Sequence, residues 1–158
     1  MSLKYTYNPQ NDSYHQPQVN HQILAQDFTK TADTTLEAVP TLEFYIAPWD
    51  RWEYDVYLYF LCDTTGDGKV RLDFDQTPTT FFEHVTRFTG GGGGQQIIYN
   101  TPTTRVLNAS GDGLCYARLD GFIVNGATAG TAYIQFAQNT ASGSSTLYAG
   151  SHIITTRF

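Results

Sequence analysis

Residues 52–62 read Trp52-Glu53-Tyr54-Asp55-Val56-Tyr57-Leu58-Tyr59-Phe60-Leu61-Cys62, and this stretch decides the fold. Trp52, Tyr54, Val56, Leu58 and Phe60 fall on one side of an extended chain, Glu53, Asp55, Tyr57 and Tyr59 on the other. A period of two is that of a half-buried β-strand, whose successive side chains leave opposite faces. Residues 63–68 follow, rich in Asp, Thr and Gly, which tolerate tight turns. Val70, Leu72 and Phe74 then alternate with Arg71, Asp73 and Asp75. The two runs and their turn predict a hairpin.

The same pattern recurs on both sides. Short strand-like runs occupy 23–28, 34–39, 42–47, 97–99, 105–107, 114–124, 131–137, 146–149 and 152–157, with Pro40 and Pro48 as punctuation. Residues 76–94 read as an insertion ending in five glycines, Gly90 to Gly94, a hinge or loop tip. Within it Phe81-Phe82-Glu83-His84-Val85 fits one helical turn. No longer window shows an apolar stripe of helical period. The expectation is an all-β jelly-roll sandwich of eight to ten strands over residues 23–158, preceded by an extended arm over residues 1–22. The arm has Tyr5, Tyr7 and Tyr14, two prolines and little aliphatic content, so it is expected to order on a partner.

Composition narrows the function. Charged residues make up 15% of the chain, against about 25% in an average globular domain. With 11 Tyr and 10 Phe, such a surface suits protein contacts, since charges are costly to desolvate. The net charge of −6 and the scatter of Arg51, Lys69, Arg71 and Arg87 argue against direct nucleic-acid binding, which needs a basic face. Cys62 and Cys115 make no metal motif and read as buried free thiols. MSLKYTYNPQ lacks the apolar core of a signal peptide, and no run reaches the length of a membrane span; synthesis in a cytoplasm and no membrane partner are expected.

Chemical motifs fail on inspection. Asp63, Asp67 and Gly68 match three positions of a calcium loop, but Phe74 stands where a bidentate Glu belongs. Asp73 and Asp75 share a strand face, as the carboxylates of a glycosidase do and as any solvated face does. His15, His21, His84 and His152 have no zinc spacing. Ser144, Ser145 and Ser151 lack a nucleophile elbow, and Gln95-Gln96 after the glycines rules out a phosphate loop. No catalytic residue, metal site or cofactor is expected.

The C-terminal region carries a resemblance. Residues 128–140 read Thr128-Ala129-Gly130-Thr131-Ala132-Tyr133-Ile134-Gln135-Phe136-Ala137-Gln138-Asn139-Thr140, followed by Tyr148-Ala149-Gly150-Ser151-His152 and Arg157; upstream stands Asp120-Gly121-Phe122-Ile123-Val124-Asn125-Gly126. This resembles the end of phage structural proteins with a TNF-like trimeric jelly-roll, which serve as capsid decoration (cement) proteins and as fibre heads. The resemblance implies a homotrimer on the outer surface of a virion, partnered by the major capsid protein. The fibre version differs: no collagen repeat or heptad stretch precedes the domain here. Tyr133 and Gln135 fall on the non-core face of residues 131–137, so with Gln138 they are the expected trimer contact, while Tyr5, Tyr7 and Tyr14 are the expected capsid-binding arm. The alternative is a receptor- or carbohydrate-binding head stacking sugars on Trp49.

Overall fold

A computed structural model describes residues 6–8, 13–15, 18–62, 67–88, 96–107 and 114–158; for 6–8, 13–15, 86–88 and 96–99 it is the backbone that is described. Fourteen strands and no helix occur among the described residues: β1 (Thr6–Asn8), β2 (Ser13–His15), β3 (Gln18–Ile23), β4 (Phe28–Thr31), β5 (Glu37–Ile46), β6 (Arg51–Cys62), β7 (Gly68–Phe74), β8 (Thr80–Phe88), β9 (Gln96–Tyr99), β10 (Arg105–Leu107), β11 (Cys115–Val124), β12 (Gly130–Gln138), β13 (Ser144–Leu147) and β14 (His152–Arg157).

Two antiparallel sheets form a sandwich. The smaller has the order β10-β7-β12-β5, and the larger runs β3-β14-β6-β11-β8-β9, with β13 also beside β6 and β4 beside β13. Eight strands make a jelly-roll of nested pairs: β5 with β12, β6 with β11, β7 with β10 and β8 with β9. One register runs through most of the chain. Gln18 faces Arg157, Thr31 faces Ser144, Phe60 faces Cys115 and Val70 faces Arg105, partners whose numbers add to one total. The protein is one antiparallel ribbon, doubled on itself and wrapped around its core.

The core follows from the alternation. Trp52, Tyr54, Val56, Leu58, Phe60 and Cys62 of β6 point inward and meet Val70 and Leu72 of β7 and Ala132, Ile134 and Phe136 of β12. Both β6 and β7 are half-buried strands as read, but they do not form a hairpin with each other. Each turns its apolar face to the same core from opposite sheets, and β7 pairs with β10 and β12 instead. Alternation reports which face is buried, not which strand lies alongside.

Other boundaries are corrected. The runs 34–39 and 42–47 are one strand, β5, bulged at Pro40 and Thr41. Thr41 has φ 65°, and the register against β12 shifts there. Two outward residues in succession keep Val39 and Leu42 both inside, and Pro40 is tolerated because β5 is a sheet edge. Residues 81–85 are strand within β8, not a helical turn, and much of the 76–94 insertion belongs to the larger sheet. Residues 18–22, assigned to the arm, are hydrogen-bonded sheet: β3 lies along β14. Within the arm, β1 and β2 pair with each other.

Gly121 marks a close approach. A Cβ there would stand 1.9 Å from the Phe82 carbonyl oxygen and 2.7 Å from the Tyr54 hydroxyl. Gly121→Ala should force β8 and β11 apart and destabilise the fold by about 2 kcal/mol, a fall in Tm of about 4–8 °C by calorimetry. An unchanged Tm would show that the two strands do not need this contact distance.

Candidate functional site

The outer face of the larger sheet is built by the second half of each alternation. On β6 it presents Glu53, Asp55, Tyr57 and Tyr59; on β11, Tyr116, Arg118, Asp120 and Phe122; on β8, Phe82 and His84; on β14, His152. Register places Tyr59 opposite Tyr116, Tyr57 opposite Arg118 and His152 opposite Tyr57. The rings form a continuous half-buried layer. Tyr57 stacks on His152 at 4.8 Å and on Tyr116 at 6.2 Å, Tyr59 lies 5.7 Å from Tyr116, and His21 meets His152 edge-on at 5.0 Å. Partial burial among these rings raises the Tyr116 hydroxyl above its ordinary pKa.

Below the tyrosines the face is polar, and its charges are paired in part. Asp55 and Asp120 face each other across β6 and β11, a like-charge pairing that destabilises unless answered. Arg118 answers it. Its guanidinium bonds Asp55, with Nε at 2.8 Å, lies 3.7 Å from Asp120, and sits 5.6 Å over the Tyr57 ring. The Asp55 carboxylate holds Arg118 above its ordinary pKa. His84 Nδ1 stands 3.2 Å from Asp120. Beyond this band Phe82 stacks on Phe122, which is well exposed.

The second feature is the turn from β5 to β6. The Asp50 amide donates to the Ala47 carbonyl at 3.3 Å, with Pro48 and Trp49 between them. Trp49 has φ 63° and its side chain is 72% exposed. The buried Asp50 carboxylate accepts from the Ala47 amide (2.9 Å), Trp52 Nε1 (3.3 Å), and Arg157 Nε and Nη2 (3.0 and 2.6 Å). Asn125 donates its side-chain amide to the carbonyls of Ile46, Ala47 and Thr128, and the Trp49 amide donates to Gly126.

A third group lies inside. Glu83 of β8 points into the core, 1% exposed, and takes 2.8 Å from Arg105 Nη2 on β10, tying the larger sheet to the smaller. Burial pushes Glu83 up to about 7, outweighing the opposing pull of Arg105. Burial likewise pushes the Cys62 thiol up to about 11, with Cys115 among the neighbours that act on it. Both cysteines are buried free thiols.

The residues singled out from the sequence are distributed unevenly. Tyr133 and Gln135 do lie on the outer face of β12, where Gln135 accepts from Arg71 Nε and Nη2. Gln138 does not: it is fully buried, accepting from the Asp33 amide and donating to the Ser142 carbonyl, so it is not a contact for a neighbouring subunit. The backbones of Tyr7 and Tyr14 face each other in the β1–β2 pair, while Tyr5 lies outside the described residues. Asp73 is held by Arg71 and Asp75 by the Thr131 amide, structural roles for both. Residues 63–66 of the calcium-like turn lie outside the described residues, and among the described ones no group of three His, Cys, Asp or Glu side chains could hold a metal. The aromatic layer was visible as the outward half of β6 and of β11, but only register joins the two. The Asp50–Asn125 clamp was not legible in the sequence, since the bonds that close it across the fold, Asn125 to Ala47 and Arg157 to Asp50, span 78 and 107 residues.

No family model and no curated protein matches the chain. Among solved structures, a chain from the structure of infectious bursal disease virus Gx strain is similar at 11% identity and a TM-score of 0.30. That likeness covers 95% of this chain, which spans 43% of the other's length, and at that score it carries no argument about role. The class defined here is therefore architectural: an all-β jelly-roll sandwich with an aromatic outer sheet face.

The raised Glu83 has a consequence for stability. The native chain keeps a proton that the unfolded chain, with an ordinary Glu near 4.5, has released. This contribution is fully present below about pH 4.5 and is lost as pH rises through about 7. Urea midpoints should therefore fall across that window, and Glu83→Gln should flatten that part of the slope. A Glu83→Gln profile parallel to the wild type would show that Glu83 titrates normally.

Proposed function

We propose that this chain is a non-enzymatic virion structural protein, a homotrimer that binds and stabilises the outside of a phage capsid. The observation that carries the reading is the outer face of the larger sheet. Tyr57, Tyr59, Tyr116 and His152 form a stacked, half-buried aromatic layer, beside which Arg118 pairs with Asp55. Aromatic rings with few free charges are the composition of a subunit contact. The trimer contact is assigned to this face rather than to the face of Tyr133 and Gln135, because the rings of Tyr57, Tyr59, Tyr116 and His152 cluster here.

The mechanism is mass action. A protein that binds the assembled shell and not its separated subunits stabilises the shell by its binding free energy. Three linked copies multiply a modest contact through effective concentration. The resemblance to phage decoration proteins supplies the partner, the major capsid protein. The arm, shortened to residues 1–17 because β3 belongs to the sheet, reaches it.

Sedimentation should return a particle near three times 17.6 kDa. The double variant Tyr57→Asp/Tyr116→Asp should fall to a monomer that keeps the wild-type far-UV circular dichroism, whereas Tyr133→Asp should remain trimeric; a monomeric wild type overturns the assembly. Deleting residues 1–17 should leave the trimer intact and weaken co-sedimentation with emptied phage heads at least tenfold, about 1.4 kcal/mol. Equal decoration by the truncated chain would remove the arm from the mechanism.

A further inference from the structure

Trp49 stands where the fold has no use for it. The Ala47–Asp50 turn has Pro48 at its second position, a left-handed residue at its third and a hydrogen bond closing it, the geometry of a type II turn. That third position takes glycine, because a Cβ with positive φ is strained. Here it holds the largest side chain available, and that side chain is 72% exposed, so its packing repays little of the strain. Strain of this kind persists only when the surroundings over-determine it. They do: Asp50 receives four donors, and Asn125 pins three carbonyls, those of Ile46 and Ala47 before the turn and of Thr128 in the facing loop. The Trp49 amide is tied to Gly126 as well.

The result is an indole presented to solvent on a rigid mount. Its surround is small and polar. Gly126 accepts from the Trp49 amide, and a Cβ on Gly126 would stand 3.0 Å from Thr79 Oγ1, which places that hydroxyl next to the turn. Gln76, Thr77, Thr79 and Thr128 are exposed on the loops that join β7 to β8 and β11 to β12. The charge of Asp50 is answered by Arg157. A protein pocket built for an indole would be met by further apolar rim. An exposed flat ring on a turn whose neighbouring loops carry hydroxyls and a carboxamide matches instead the face of a sugar, with its C–H groups over the ring and its hydroxyls at the edge.

We propose that the Trp49 turn is a carbohydrate-stacking site that takes a pyranose unit of a polysaccharide. The backbone that carries the ring is fixed before the ligand arrives, which lowers the entropic cost of stacking. One ring gives weak affinity per subunit, and several copies on one assembly would make a polysaccharide contact through avidity. The site lies on the loops at one end of the sandwich and does not depend on the capsid reading.

The test uses the intrinsic fluorescence of the full chain. It has two tryptophans, and Trp52 is buried at 5% exposure, so collisional quenching by acrylamide reports Trp49. Millimolar cellotetraose or chitotetraose should protect Trp49 saturably. Trp49→Asn, which accepts positive φ, should weaken binding at least tenfold in calorimetric titration, about 1.4 kcal/mol. Trp49→Tyr should retain part of it. The Tm of Trp49→Asn should hold or rise. A fall of more than about 4 °C would make Trp49 a support of the fold and overturn the proposal. So would the absence of saturable protection by either sugar, and if emptied phage heads then protect Trp49, the turn is a protein contact.

Discussion

Strand β6 is paired along both edges, with β11 on one side and with β14 and β13 in succession on the other. Its inward row fixes the depth of the core, and its outward row sets the aromatic layer. A slip of one residue would exchange the two, sending Glu53 and Asp55 into the core and Leu58 and Phe60 into water. The desolvation cost of such an exchange is prohibitive, so the register of β6 is fixed, and through it that of β11, β14 and β13. The smaller sheet is then placed by the rows that must meet β6: Val70 and Leu72, and Ile134 and Phe136.

What the sequence disclosed follows from this. Wherever one strand face is buried, the alternation is legible: β6, β7, β11 and β12 stand at or within two residues of the expected bounds. Where burial fades, so does the signal. Gln18–Ile23 is exposed almost throughout, held by backbone bonds to β14 rather than by packing, and nothing in its side chains announces a strand. In β8 the inward row is Phe81, Glu83 and Val85, and a carboxylate in the apolar row hides the period. Arg105, more than twenty residues on, is what makes that carboxylate tolerable, and a local reading cannot see it. Gln138 was misplaced for the same reason, because its partner Asp33 lies 105 residues away in a loop that the fold brings to it.

The two candidate surfaces differ in how they spend polar groups. On the outer sheet face, Arg118 binds one of a facing pair of aspartates and approaches the other, which lowers the charge beside the tyrosines. At the β5–β6 turn, buried Asp50 and Asn125 hold a strained backbone so that one indole stays in water. The first arrangement flattens a face; the second fixes a single point. Both are made from residues remote in sequence, and neither corresponds to a short motif.

The doubled ribbon also sets an order on synthesis. Gln18 emerges from the ribosome long before its partner Arg157 is made. Asp50 likewise waits for the same arginine. The larger sheet cannot complete its edge, nor the Trp49 turn its clamp, until β14 has left the exit tunnel. Nascent chains therefore carry an unclosed apolar sheet until β14 is made. A product broken off before β14 would leave β3 without its strand partner and Asp50 a buried charge without its counterion.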